Sequence, residues 1–147
     1  MRQKLREPAV LAFALGLLLP SWAAVRAGAD PEIVERTADV AGGRLHYSSA
    51  GQGPAVILLH GYAETSRMWR PLIPALAERF TVIAPDLPGI GDSAIPADGL
   101  DLKTAAIRIH ELAKSLGVAK ARVVGHDIGL MVAYAYAAQF PSETEQL

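Results

Sequence analysis

The segment Gly125-His126-Asp127-Ile128-Gly129 constrains this 147-residue chain more than any other. A strand, Ala121–Val124, is expected before it, and the apolar stretch Ile128–Phe140, of helical length, follows and is ended by Pro141. A chain that passes from strand to helix across so few residues must turn sharply. Glycines at both ends of the turn allow neighbouring backbone to pass close by. The strained turn lifts its central side chain clear of the sheet, at the positive end of the helix that follows. Here that side chain is the carboxylate of Asp127. Gly-x-Ser-x-Gly occurs nowhere in the chain, so an esterase reading has no serine nucleophile. The competing reading makes Asp127 a simple helix N-cap, a position aspartate fills well.

The rest of the chain alternates strands and helices around this turn. Ile33–Val40 and Arg44–Ala50, separated by Ala41-Gly42-Gly43, read as a β-hairpin. Val56–Leu59 is wholly apolar, as in a strand buried on both faces. Ser66–Arg79 has helical character, with Pro71 and Pro74 breaking its first turns. Thr81–Ala84 is a further strand, closed by Pro85 and followed by a Gly- and Pro-rich loop, Asp86–Gly99. Leu102, Ala105, Ala106, Ile109, Leu112, Ala113 and Leu116 form one apolar helix face, with Asp101 as N-cap and Gly117 as stop. The helix Ile128–Phe140 is apolar almost all round and is expected to be buried. A hairpin followed by strand–helix alternation predicts an α/β sheet that begins antiparallel and becomes parallel.

Composition narrows the function classes. Basic and acidic residues number 14 and 15, a net charge of −1, which leaves no electrostatic footprint for nucleic acid. With no cysteine, disulfides, thiolate chemistry and zinc–cysteine sites are excluded. Part of the 51% hydrophobic content lies at the N-terminus, where Arg2, Lys4 and Arg6 precede the apolar run Ala9–Leu19. Small residues follow, and cleavage after Ala23, Ala27 or Ala29 completes the pattern of a secretory signal peptide. The run is short for a membrane span, and the alternative is an uncleaved signal anchor. Residues 1–29 are therefore expected to direct export, leaving 30–147 as the folded part with no membrane contact. That part holds 10 basic and 14 acidic residues, a net −4.

Two further segments carry candidate chemistry. His60-Gly61-Tyr62 follows the buried strand directly. A turn there can aim the backbone N–H of Tyr62 at the Asp127 turn, beside the N–H of Ile128, and two such donors make an oxyanion hole. His60 itself reads either as a hydrogen bonder that stabilises the turn or as a catalytic base, the former being favoured. Asp86-Leu87-Pro88-Gly89-Ile90-Gly91-Asp92-Ser93 lacks the strand-then-helix spacing of a phosphate-binding loop and reads as structural, held by Asp86, Gly89 and Gly91. No metal and no cofactor is expected.

Taken together, His60-Gly61-Tyr62-Ala63-Glu64-Thr65 with Trp69, the segment Asp86–Ser93, and Gly125-His126-Asp127-Ile128-Gly129 resemble the α/β-hydrolase family. The resemblance runs from about Ile33 to the last residue. An aspartate at the centre of the turn is similar to the branch of epoxide hydrolases and haloalkane dehalogenases. It implies attack of the Asp127 carboxylate on an sp³ carbon of a small molecule, giving an alkyl–enzyme ester that a histidine-activated water hydrolyses. Dehalogenases of that branch hold halide with a tryptophan after the nucleophile and often an asparagine after His-Gly, whereas this chain has Ile128 and Tyr62. Fluoroacetate dehalogenases place arginine after the nucleophile. An epoxide is thus the expected substrate, with a haloalkane as the alternative. Ala63 departs from the proline common at that position in epoxide hydrolases.

The resemblance also implies a lid, a second carboxylate and a catalytic histidine later in the chain than this turn. None of His46, His60, His110 or His126 stands at the histidine's position. The expectation is the N-terminal half of a hydrolase sheet, five strands in the order 1-2-4-3-5, with Ala121–Val124 as an exposed edge because the strand after Pro141 is lacking. On its own such a chain would be alkylated once and not turn over. The alternative is a non-catalytic remnant of the fold.

Overall fold

A computed structural model describes residues 31–147; the expected signal peptide lies outside them. Two strands, β1 (Val34–Val40) and β2 (Gly43–Ala50), form the hairpin, with Val40 opposite Gly43 and Ala41-Gly42 as the turn. β3 (Ala55–Leu59) follows, then a 3₁₀ turn over Ser66–Trp69 and the short helix α1 (Ile73–Ala77). The helical stretch expected over 66–79, with its first turns broken by proline, thus forms two pieces. Pro71 lies between the two pieces and Pro74 sits in the first turn of α1, where a missing N–H costs nothing. β4 (Thr81–Pro85), α2 (Leu102–Ser115), β5 (Ala121–Gly125), α3 (Ile128–Gln139) and β6 (Thr144–Gln146) complete the chain.

The sheet runs β1-β2-β4-β3-β5-β6. β2 meets β1 and β4 antiparallel, while β3 is parallel to both β4 and β5. The expected order of the first five strands holds, but β5 is not the edge. β6 pairs with it in parallel, Ala121 N–H donating to the Glu143 carbonyl at 3.0 Å. Thr144-Glu145-Gln146 carries no apolar pattern that would mark a strand, and its short, charged edge suits a sheet border. Among the described residues, no helix is long and apolar enough to cross a membrane.

The period-two geometry of β3 divides the core. Ile57 and Leu59 face α2 and α3, where Leu45, Ile83, Ile109, Leu112, Val123, Val132 and Tyr136 are buried around them. Val56 and Leu58 face α1 with Ile73, Ala77, Val82 and Ala84. Burial of all five β3 residues explains its unbroken apolar run. Helix α2 starts as its sequence directs, the Asp101 carboxylate accepting the Thr104 N–H at 3.0 Å, and Gly117 leaves it at φ +75.

Two burial patterns differ from expectation. Helix α3 is apolar on all sides, yet only Gly129, Val132, Ala133 and Tyr136 are buried, whereas Leu130, Met131 and Tyr134 are exposed. The sheet covers one stripe of the helix and nothing described covers the other. Arg108 lies on the apolar side of α2 and is only 3% exposed. It donates to the carbonyls of Ala41 (2.9 Å) and Asp98 (2.6 Å), so a buried cation ties the hairpin turn to the loop before α2.

The loop after β4 is organised by Asp86, 2% exposed. Its carboxylate accepts N–H bonds from Ser66 (2.7 Å) and Asp92 (3.0 Å) and one from the His46 ring (3.0 Å). Burial pushes its pKa up, but the N–H groups of Asp92 and Ser66, with His46, outweigh that, and the net shift is downward.

Because the folded pKa lies below the unfolded one, this carboxylate stabilises the fold above its unfolded pKa, near about 4, and the contribution fades as pH falls through the lower folded value. Asp86→Asn puts an amide donor against N–H donors and is expected to cost about 1–3 kcal/mol at pH 7. In urea unfolding from pH 7 to pH 3, the gap between wild type and variant should stay constant and then close below about pH 4. Glycines give a second check. A Cβ on Gly129 would lie 2.4 Å from the Leu59 carbonyl oxygen, backbone that cannot give way, so Gly129→Ala is expected to lose roughly 3 kcal/mol or more. Gly117→Ala meets nothing within 4 Å and should cost only about 1–2 kcal/mol, for its φ alone.

Candidate active site

The turn between β5 and α3 is shaped by close backbone contact. A Cβ on Gly125 would lie 2.4 Å from the Gly129 carbonyl oxygen and from the Leu130 nitrogen, and one on Gly129 would meet the Leu59 and His60 carbonyls. Both glycines are therefore required by space and not by φ. Between them the chain rises, and Asp127 takes φ +51 and ψ −120, outside the regions open to an ordinary L-residue. Asp127 is the residue before Ile128, where α3 begins, but its side chain makes no capping bond to that helix. Its carboxylate instead crosses to the loop after β3, where Oδ2 accepts the Tyr62 N–H at 2.9 Å. The N–H of Ile128 opens α3, among the first-turn donors that lack a partner within the helix.

That loop is fixed from beneath. His60 is fully buried, its Nδ1–H donating to the Gly61 carbonyl at 2.9 Å and its Nε2 accepting the Leu87 N–H at 2.9 Å. Both ring nitrogens are engaged within the loops, so neither is free to take a proton from water. Leu87 stands beside Asp86, which joins this loop to the one after β4. There Gly91 (φ +59) brings its backbone against the Asp86 carboxylate, while Gly89 (φ +78) has space around it and is needed for its φ.

Residues 61–64 form a turn, Glu64 N–H donating to the Gly61 carbonyl at 3.3 Å. Ala63, in the third position, has φ +57. Proline, held near −65°, has no access to that conformation. Glu64 Oε2 accepts the Gly61 N–H at 3.1 Å and lies 3.9 Å from His126 Nε2. Glu64 was not singled out from sequence as a site residue. Its spacing, a carboxylate three residues after the N–H it accepts, is that of a capping box and is the signal that could have marked it.

The structure thus brings together Asp127, Tyr62, Gly61, His126 and Ile128 at the carboxyl ends of β3 and β5, with His60, Asp86, Gly89 and Gly91 in the supporting loops. Asp127 and His126 are exposed. A cavity of about 360 Å³ lined by Leu87, Ile90, Ile95, Leu100, Ile128 and Val132 opens beside the turn. The arrangement offers a solvent-reachable carboxylate with one oxygen held by a backbone donor and the other free of that bond.

The chain is similar in sequence and fold to known proteins. Residues 54–144 match the family model for the alpha/beta hydrolase fold. The soluble epoxide hydrolase of Corynebacterium sp. (strain C12) is 49% identical over 106 residues, covering 72% of this chain and 37% of that protein. The solved structure of epoxide hydrolase CorEH superposes with a TM-score of 0.76 at 46% identity, over 78% of this chain and 40% of the other. A haloalkane dehalogenase DbeA loop variant from Bradyrhizobium elkanii gives 0.71 at 32% identity, over 77% and 38%. The chain spans less than half the length of these relatives. It belongs to the α/β-hydrolase fold family.

Proposed function

We propose that this chain carries the nucleophile and the oxyanion-binding loop of an exported epoxide hydrolase. The observation that carries the reading is the 2.9 Å hydrogen bond from Tyr62 N–H to Asp127 Oδ2, with Asp127 held at φ +51 in the turn. It leaves Oδ1 as the attacking atom. Oδ1 forms a bond to an epoxide carbon, the carbon–oxygen bond of the ring breaks, and its electron pair goes to the ring oxygen, which takes up a proton from water. The product is a β-hydroxyalkyl ester of Asp127. Hydrolysis of that ester passes through a tetrahedral oxyanion, which in this reading the N–H groups of Tyr62 and Ile128 stabilise. Water attack on that ester requires a base, a role that His60, locked in its loop, does not fill.

Epoxide is favoured over haloalkane because Ile128 follows the nucleophile, so the indole N–H that binds departing halide in the dehalogenases has no counterpart there. The apolar lining beside the turn, with Leu100 and Ile128, suits an epoxide with a hydrocarbon substituent.

Intact-mass spectrometry of the chain after incubation with styrene oxide tests the reading. One adduct, mapped to Asp127, is expected, with Asp127→Asn at least about tenfold slower to react. A folded protein that gains no adduct would point instead to a non-catalytic member of the fold. Preference for 1-chlorobutane over styrene oxide in the same assay would favour the dehalogenase alternative.

A further inference from the structure

The donor on which the proposed site depends is poorly anchored by its own residue. Tyr62 is 79% exposed, so packing does not place it, and the next residue, Ala63, sits in a left-handed conformation. The position of the Tyr62 N–H must therefore come from the groups that hold the preceding peptide. Gly61 is buried, and its carbonyl accepts both the His60 ring and the Glu64 N–H. Its N–H is held by Glu64 Oε2. Glu64 thus grips Gly61 at both polar groups, backbone to carbonyl and carboxylate to N–H.

The same carboxylate also faces the other half of the site. It lies 3.9 Å from His126 Nε2, and His126 is the residue before Asp127. A Cβ on Gly61 would meet Glu64 Oε2 at 2.7 Å, His126 Cδ2 at 2.8 Å and Asp127 Cβ at 3.2 Å. Glu64 and the two turn residues therefore crowd one glycine, where loop and turn come together.

We propose that Glu64 is a positioning residue, which sets the Tyr62 N–H against Asp127 by holding Gly61. It does not touch the reacting atoms. The assignment deepens the reading of Asp127 as nucleophile and rests on it, but its test reads the hydrogen bond directly. The property required is an acceptor at the reach of a glutamate. Glutamine keeps that acceptor, alanine removes it, and aspartate draws it back by one methylene.

Amide hydrogen exchange of the full chain, followed residue by residue by NMR, measures the Tyr62 N–H, with Asp127→Ala defining the released rate. Glu64→Ala is expected to speed Tyr62 exchange at least about tenfold toward that rate, while Glu64→Gln stays within about threefold of wild type. Leu58 and Val123, in the central strands, report whether the fold is intact. Unchanged Tyr62 exchange in Glu64→Ala overturns the proposal, as does Glu64→Gln exchanging as fast as Glu64→Ala. If Glu64→Ala also loosens Leu58 and Val123, Glu64→Asp decides: release of Tyr62 alone supports the role, and no release refutes it. With styrene oxide, Glu64→Ala should lower the maximal rate of Asp127 alkylation and leave the half-saturating concentration unchanged. A chain that takes no adduct while its Tyr62 exchange still follows Glu64 retains the positioning device and loses the proposed chemistry. Adduct formation with Tyr62 exchange indifferent to Glu64 gives the reverse.

Discussion

Everything at the candidate site depends on how closely the first turn of α3 lies against the end of β3. Gly129 sits where any side chain would collide with the carbonyls of Leu59 and His60, and Gly125 sits where one would strike the first turn of α3. With both positions bare, helix and strands close to backbone contact, and His126 N–H reaches the Leu59 carbonyl at 3.0 Å. The residue between has no relaxed path from strand to helix and rises into the conformation seen at Asp127. Spacing the elements any wider would carry the carboxylate away from Tyr62. A steric constraint thus becomes an electrostatic one, because a hydrogen bond to a carboxylate weakens steeply with distance and angle.

The opposing loop is built on polar rather than steric grounds. Two of its polar side chains are buried and both are engaged: Asp86 by backbone N–H groups and His46, His60 by a carbonyl and an N–H. Buried groups of this kind cost several kcal/mol if left unpaired, so the loops after β3 and β4 stay together or both rearrange. Asp86 with Leu87 links them, and that coupling gives the exposed Tyr62 turn a rigid base. The helix macrodipole of α3 adds a favourable field for the Asp127 charge at its N-terminus.

The parts of this structure that were legible from sequence are those written as periodicity or as glycine spacing. The hairpin, the buried β3 and the α2 stripe with Asp101 and Gly117 follow from such patterns, whereas the order of the first five strands came from the resemblance to the α/β-hydrolase family. The Gly-x-Asp-x-Gly turn was legible because two glycines at that spacing have few other uses between a strand and a helix. What escaped has no pattern to read. β6 is Thr-Glu-Gln, held by main-chain bonds to β5. Arg108 is buried because carbonyls from residues 41, 98 and 99 converge on it, an arrangement that exists only after folding. In α3 the sequence marks Leu130, Met131 and Tyr134 as apolar but says nothing of which stripe the sheet takes. Glu64 looks like any loop acid until its carboxylate is seen on a backbone N–H.

The distribution of backbone strain bears on what the site is for. Among the described residues, Ala63 and Asp127 are the non-glycine positions with positive φ. Each costs on the order of 1–2 kcal/mol that a relaxed turn would not. They are far apart in sequence, yet they flank the single hydrogen bond from Tyr62 to Asp127. A turn that only had to reverse the chain would place glycine at both positions, as the chain does at residues 42, 51, 89 and 117. At 127 glycine would remove the carboxylate itself. At 63 it would free the turn to sample other conformations and so loosen the donor beside it. Strain is retained where a defined donor faces a defined acceptor. That coincidence is the physical reason to regard the pair as a functional unit rather than as two unrelated irregularities of the backbone.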